Sequence, residues 1–166
     1  MQAPAHAGAP EELVGLLIQG CLPFVGNPPA LRDWAKRIGL PPVPEQARIA
    51  FLHGAPGQAF DASAAETKLV LVSSDDGICS AVTDRATQSA VGDALEAGFR
   101  QAGLAFRLVI ERDDARVSAI HNREYLATKN LATKNLATKN KIGWRILAAT
   151  VKGDTGGEAM LTAAPE

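Results

Sequence analysis

The spacing of apolar residues changes character along the chain. From Glu11, Leu13, Leu17 and Cys21 recur every fourth residue with Val14 and Ile18 beside them, which gives one apolar side of a helix. Pro10 suits the first turn of such a helix and Pro23 ends it. A second helix is written in NPPALRDWAKRIGL, where Asn27 caps, Pro28 opens the first turn, and Leu31, Trp34, Ala35 and Ile38 form the stripe. Gly39 suits the left-handed residue that follows a helix, and Pro41, Pro42 and Pro44 force an extended linker.

Beyond the linker the pattern reads as strands. RIAFLHG (48–54) predicts a short strand stopping at GAPG, and KLVLVSS (68–74) is a continuous apolar run expected of a buried central strand. Asp75-Asp76-Gly77 is a turn signal, after which ICSAV (78–82) returns antiparallel. A helix is predicted over 83–102, with Val91, Leu95 and Phe99 stacked and Gly103 as its stop. Strands follow at 105–111, 115–125 and 141–151, and EAMLTA predicts a last short one. The expected architecture is α+β. An antiparallel sheet of about five strands carries a crossover helix, with PAS- or profilin-like connectivity, and two N-terminal helices cover a face or an end of it. Leu31, Trp34, Ile38, Leu69, Leu71, Val91, Leu95, Phe99, Leu108, Ile110 and Ile146 are the expected core.

One stretch breaks the pattern. In YLATKNLATKNLATKNKIGW (125–144) five residues occur three times in succession. At about 100° per residue, Leu126, Leu131 and Leu136 would spiral around a helix, and on a strand they would alternate faces. Four of the seven lysines lie between Lys129 and Lys141, in a chain whose other basic residues are mostly arginine. The expectation is a tandem LATKN insertion at 126–140 in the connection between two strands. Such a connection also permits a strand-swapped homodimer. The domain plan is a flexible leader over residues 1–10 and a single domain over 11–166.

Composition narrows the class. The 166 residues suit one domain, and 46% apolar against 5% aromatic residues calls for a mostly aliphatic core. A formal charge of −1 leaves no electrostatic footprint for nucleic acid. No apolar run approaches the roughly 20 residues of a membrane-spanning helix. The leader MQAPAHAGAP is compatible with a mature exported protein or with a cytosolic tail. Two cysteines, Cys21 and Cys79, lie far apart in sequence, and they read either as a disulfide or as two buried thiols.

Candidate chemistry is sparse. His53 ends a predicted strand before GAPG, and His121 and Arg123 lie on another. None of the histidines has a spaced cysteine or carboxylate partner that would suggest zinc. Asp75 and Asp76 are explained by a turn and could also meet a cation or ligand. His53, Asp75, Asp76, His121 and Arg123 are therefore the candidate ligand-binding residues, and no catalytic residue, metal or cofactor is expected.

The segments GCLPFVGNPPALRDWA, LHGAPGQAF and LVLVSSDDGICSAV resemble a group of small exported bacterial proteins and lipoproteins of unassigned function. That resemblance implies export, with a signal peptide removed and a periplasmic or secreted location, and a Cys21–Cys79 pair. It implies no reaction. The favoured reading is a non-catalytic binding or interaction module acting on an unidentified protein or small molecule. A PAS-like ligand sensor and a small hydrolase using Cys79 or Asp75 with His53 or His121 are the alternatives.

Overall fold

A computed structural model describes residues 8–130 and 141–166. Helix α1 (Ala9–Leu16) follows an extended Gly8 and starts two residues ahead of the helix start expected at Glu11; most of the expected leader, 1–7, lies outside the described residues. It widens into a π-helical turn (Leu17–Cys21) and tightens into a 3₁₀ turn (Leu22–Phe24) that contains Pro23. Helix α2 (Pro28–Arg37) is capped as its sequence predicts, with the Asn27 side chain accepting from the Ala30 amide at 3.3 Å. Gly39 closes it at φ +82°.

Residues 48–54 form no strand. They belong to helix α3 (Glu45–Leu52), which Glu, Gln, Ala and Arg favour and which a Glu45–Arg48 ion pair at 2.5 Å supports. His53 ends it in the left-handed conformation, at φ 52°. The apolar run that reads as a strand divides on the helix: Leu52 is buried and Ile49 faces solvent.

The sheet has seven antiparallel strands where about five were expected, and three helices precede it where two were expected. Strands β1 (Gly57–Asp61), β2 (Leu69–Ser74) and β3 (Cys79–Ala86) form one meander. Helix α4 (Gln88–Gln101), capped by Thr87, crosses to a second meander of β4 (Ala105–Asp113), β5 (Ile120–Asn130), β6 (Lys141–Val151) and β7 (Gly157–Pro165). The order across the sheet is β1-β2-β3-β7-β6-β5-β4. The expected scheme of two strands, a helix and three strands thus gains β1 at its start. The short terminal strand is in fact nine residues long and central. Helix α4 also starts later than predicted, because residues 83–86 continue β3.

Register fixes the two faces. Phe60, Leu71, Ala81, Leu161 and Ala148 lie in one cross-sheet row on the inner face, under α1, α2 and α4. Val91, Leu95 and Phe99 of α4 are buried there, and Phe99 meets Phe106 and Tyr125 in an aromatic group with centroids 5.1 and 5.7 Å away. On α1, Val14 packs so close that a Cβ on Gly98 of α4 would lie 2.5 Å from its Cγ1. Most of the expected core is buried. Ile38 lies past the end of α2 and is 51% exposed, and Leu108 on the edge strand β4 is 42% exposed, beside a bulge that leaves Val109 unpaired. Trp34 and Ile110 are partly buried.

Cys21 and Cys79 are joined, both essentially inaccessible, with Cα atoms 5.4 Å apart. The bond fastens the π-helical turn to β3. Chain-entropy arguments for a 58-residue separation give about 4 kcal/mol of stabilisation. A thiol count in denaturant should find no free thiol before reduction and two after it, and reduction should lower the unfolding free energy by about that amount. Two thiols in the unreduced, air-oxidised protein would contradict the pairing.

The first LATKN copy is not part of a loop. Leu126–Asn130 lies in β5 and pairs residue by residue with β6, from Leu126↔Arg145 to Asn130↔Lys141, and Ala127 is fully buried. The other two copies, 131–140, lie outside the described residues. Their removal joins Asn130 to Lys141 and leaves Lys129↔Ile142 closing a two-residue turn, Asn130-Lys141, with the register unchanged; Asn suits such a turn. The deletion variant should therefore fold with equal or slightly higher stability, since a shorter loop closes at lower entropic cost. Sizing chromatography distinguishes the outcomes: a dimer that becomes a monomer on deletion marks swapped strands, and an unfolded variant would make the copies structural.

Candidate functional site

The five candidate residues divide between opposite ends of the sheet. At one end, the Asp75-Asp76-Gly77 turn is held by its own surroundings. Arg32 of α2 donates to the Asp75 carboxylate at 2.6 Å, and to the Ser73 hydroxyl and carbonyl at 3.0 Å each. Asp76 accepts from the Ile78 amide at 3.0 Å, which is the turn role its sequence suggests. Gly77 lies at φ +95°; its carbonyl accepts from the Gly26 amide, and a Cβ there would lie 2.9 Å from Gly26 Cα. His53 caps α3 on the same side, three residues before Pro56, whose carbonyl accepts from the Asp75 amide.

His121 and Arg123 lie at the other end, on β5. His121 is opposite Thr150 of β6, in the row that continues through Ala159 and Thr83 to Leu69. Cys79 is three strands from β5, buried and bonded to Cys21, so it presents no thiol to either histidine.

His121, Arg123 and Tyr125 alternate on the inner face of β5, where they meet Glu111 and Asp113 of β4 and Glu96 of α4. His121 is held between two carboxylates: its Nε2 is 3.3 Å from Glu111 and its Nδ1 is 3.0 Å from Asp113. Asp113 also accepts from Lys152 at 3.0 Å. Arg123 donates through Nε to Glu111 and lies 3.8 Å from Glu96, with its guanidinium over Gly92 of α4, where a Cβ would come within 2.9 Å of Nη1. The Tyr125 hydroxyl donates to Glu96 at 3.0 Å.

The electrostatics follow from these contacts. Burial, reinforced by the bond to Glu96, pushes the Tyr125 phenol up to about 12. Hydrogen bonds from Arg123 and then His121 hold Glu111 below the ordinary carboxylate range, and those from His121 and then Lys152 do the same for Asp113. Asp114, in the turn beyond β4, is lowered by the Arg116 amide, the Asn122 side chain and the Val117 amide. Each acid of this cluster already has a cationic or hydrogen-bonding partner. Among the described residues no group of three His, Cys, Asp or Glu side chains is placed to hold a metal ion.

Glu96, Glu111, Asp113, Tyr125 and Lys152 were not singled out from sequence, although one signal was present. Two-residue alternation puts His121, Arg123 and Tyr125 on one face, and Glu111 and Asp113 on the matching face of the neighbouring strand. Charged residues alternating onto a helix-covered face require partners.

The outer face of the sheet is unevenly covered. Helix α3 packs on β1 and β2, where Leu52, Ala59, Val72 and Val82 form a second small core. Farther along the same face, Ile110, Leu126, Leu147, Ala149 and Met160 are partly exposed, and no described helix packs over β4 to β6 on that side. Arg107, Arg112 and Lys141 rim this strip, and Arg145 pairs with Glu124 across it, Nε to carboxylate at 2.7 Å. Two open clefts, of about 740 and 670 Å³, lie elsewhere, one between α1 and α4 and one beside Gly8 and the start of β2.

Comparisons of the chain with protein-family models, with curated proteins and with solved structures return no match. No helix among the described residues is long and apolar enough to cross a membrane.

The lowered carboxylates fix the sign of the acid response. A group whose folded pKa is depressed contributes stability that is present above its unfolded value, near 4, and is lost as pH falls through the folded value. Stability should hold from neutrality to about pH 5 and decline below about pH 4. Glu111→Gln combined with Asp113→Asn should flatten that decline in urea titrations at a series of pH values. An unchanged acid limb would place the responsive groups elsewhere.

Proposed function

We propose that this chain is an exported, non-catalytic interaction module that binds a protein partner through the outer face of β4 to β7. The observation that carries the reading is the strip Ile110, Leu126, Leu147 and Ala149, continued by Met160 at the margin of the α3 core, a partly exposed apolar run on the face opposite the main core. A flat, partly apolar centre with Arg107, Arg112 and Lys141 at its rim has the anatomy of a protein-binding patch. The buried Cys21–Cys79 bond supports a periplasmic or secreted location, because disulfides of small domains persist in oxidising compartments.

Leu147→Asp tests this directly. The substitution falls on a partly exposed position opposite Glu124, so a modest loss of about 1 kcal/mol is expected, whereas Ile146→Asp in the core should unfold the protein. In affinity capture from extract of the native host, proteins retained by the wild-type chain should be lost with Leu147→Asp and kept with a substitution at Gln101 on the helical side. Equal retention by all three would move the interaction off this face.

A further inference from the structure

The ionic cluster on β4 and β5 has no part in the proposed binding face, and its geometry contains a proton-dependent element. His121 has both ring nitrogens within 3.3 Å of a carboxylate, Glu111 on Nε2 and Asp113 on Nδ1. A neutral imidazole has one N–H and one bare lone pair, so it can serve only one of the two acids. The neutral ring can keep the Nδ1 hydrogen bond to Asp113, and the imidazolium adds an ion pair from Nε2 to Glu111. We propose that His121 is a pH-dependent clasp on the edge strand β4, closed as the imidazolium and half-released as the neutral ring.

The surroundings favour this assignment and set its limits. Strand β4 is the outer strand of the sheet and is paired on one side only, to β5. The unpaired Val109 divides it. The first half is anchored by groups that do not titrate near neutrality: Phe106 lies in the aromatic group with Phe99 and Tyr125, with the Arg100 guanidinium over its ring. The second half, Ile110–Asp113, carries no such anchor, and its inward side chains, Glu111 and Asp113, are the two that meet His121. The groups facing the ring are these two acids from β4, Arg123 two residues along β5, Thr150 opposite it on β6, and Lys152 just beyond β6 through Asp113; Glu96 of α4 joins through Arg123. Arg123 keeps Glu111 partnered and Lys152 keeps Asp113 partnered when the ring is neutral. Release is therefore partial and local to the second half of β4 and the turn at Asp114, where Val117 is exposed.

The acids stay ionised across the range in which an imidazole titrates, since both are held below the ordinary carboxylate value. The clasp therefore closes when the ring takes up a proton while both acids are still ionised, and fails only where the acids themselves become protonated. A cation between two partly exposed acids is expected to alter local opening by about 2- to 5-fold.

Amide hydrogen exchange of the full chain, expressed as protection factors to remove the intrinsic pH effect, reads this out. Protection of the Ile110–Asp113 amides relative to Ala105–Leu108 should rise about 2- to 5-fold from pH 7.5 to 5.5, with the same midpoint as the His121 ring resonance. His121→Gln should abolish the rise while leaving the Ala105–Leu108 amides unchanged. Glu111→Gln, which leaves the Asp113 contact in place, should reduce it. A rise that persists in His121→Gln, or a His121 resonance that titrates while β4 protection stays flat, overturns the clasp.

Discussion

Cys21 leaves α1 through a π-helical turn and bonds to Cys79 at the first residue of β3, close to the middle of the sheet. One residue farther on, the Leu22 carbonyl accepts from the Trp144 indole on β6, at 3.0 Å and out of contact with solvent. These two attachments reach β3 and β6, which flank β7, so the helical segment spans three consecutive central strands. The inner core depends on that placement. Leu13, Leu17 and Leu22 reach Leu161, Ile146 and Ala163 only if the turn between α1 and α2 sits over the sheet centre. Helix α4 then packs against α1, with Gly98 permitting the close approach to Val14.

The two faces of the sheet follow different physical rules. The inner face carries the main core and continues toward the β4 edge with aromatic packing at Phe99, Phe106 and Tyr125, then with ionic pairing at Glu96, Arg123, Glu111 and His121. Among the described residues the outer face is covered by α3 over β1 and β2, and the Pro41–Val43 linker covers the β1 edge through the Val43 amide to Ala59 and the Asp61 amide to Pro41. One edge of the sheet is thereby protected by backbone pairing. The other, β4, has a bulge and charged side chains, two common devices that keep an open edge from pairing with a second chain.

The α+β class, the crossover helix, the meander after it and the cap of α2 were legible in the sequence because each has a local cause: a stripe at helical spacing, a capping Asn27, a turn at Asp75-Asp76-Gly77. The helix α3 was not, since RIAFL satisfies a strand pattern and a helix pattern equally over so few residues, and only Glu45 and Arg48 across one turn decide between them. Strand β1 was missed because GQAFD has a single large apolar residue and takes its place from pairing with β2. Of the candidate site, His121 and Arg123 stood out by residue type. Their partners Glu96, Asp113 and Lys152 did not, because Glu96 lies 27 residues before Arg123, Lys152 lies 39 residues after Asp113, and a strand register must be known before Asp113 can be matched to His121.

The position of β7 also bears on how the molecule assembles. The meanders β1–β3 and β4–β6 share no ladder with each other; β7 pairs with β3 on one side and β6 on the other, and is the last strand in chain order. Until it is in place, β3 and β6 are both open edges carrying buried-type residues such as Ala81 and Ile146. Loops of long range must close before those contacts form, which slows folding and prolongs exposure of strand edges. During synthesis the two halves would wait, each incomplete, for the strand that emerges last.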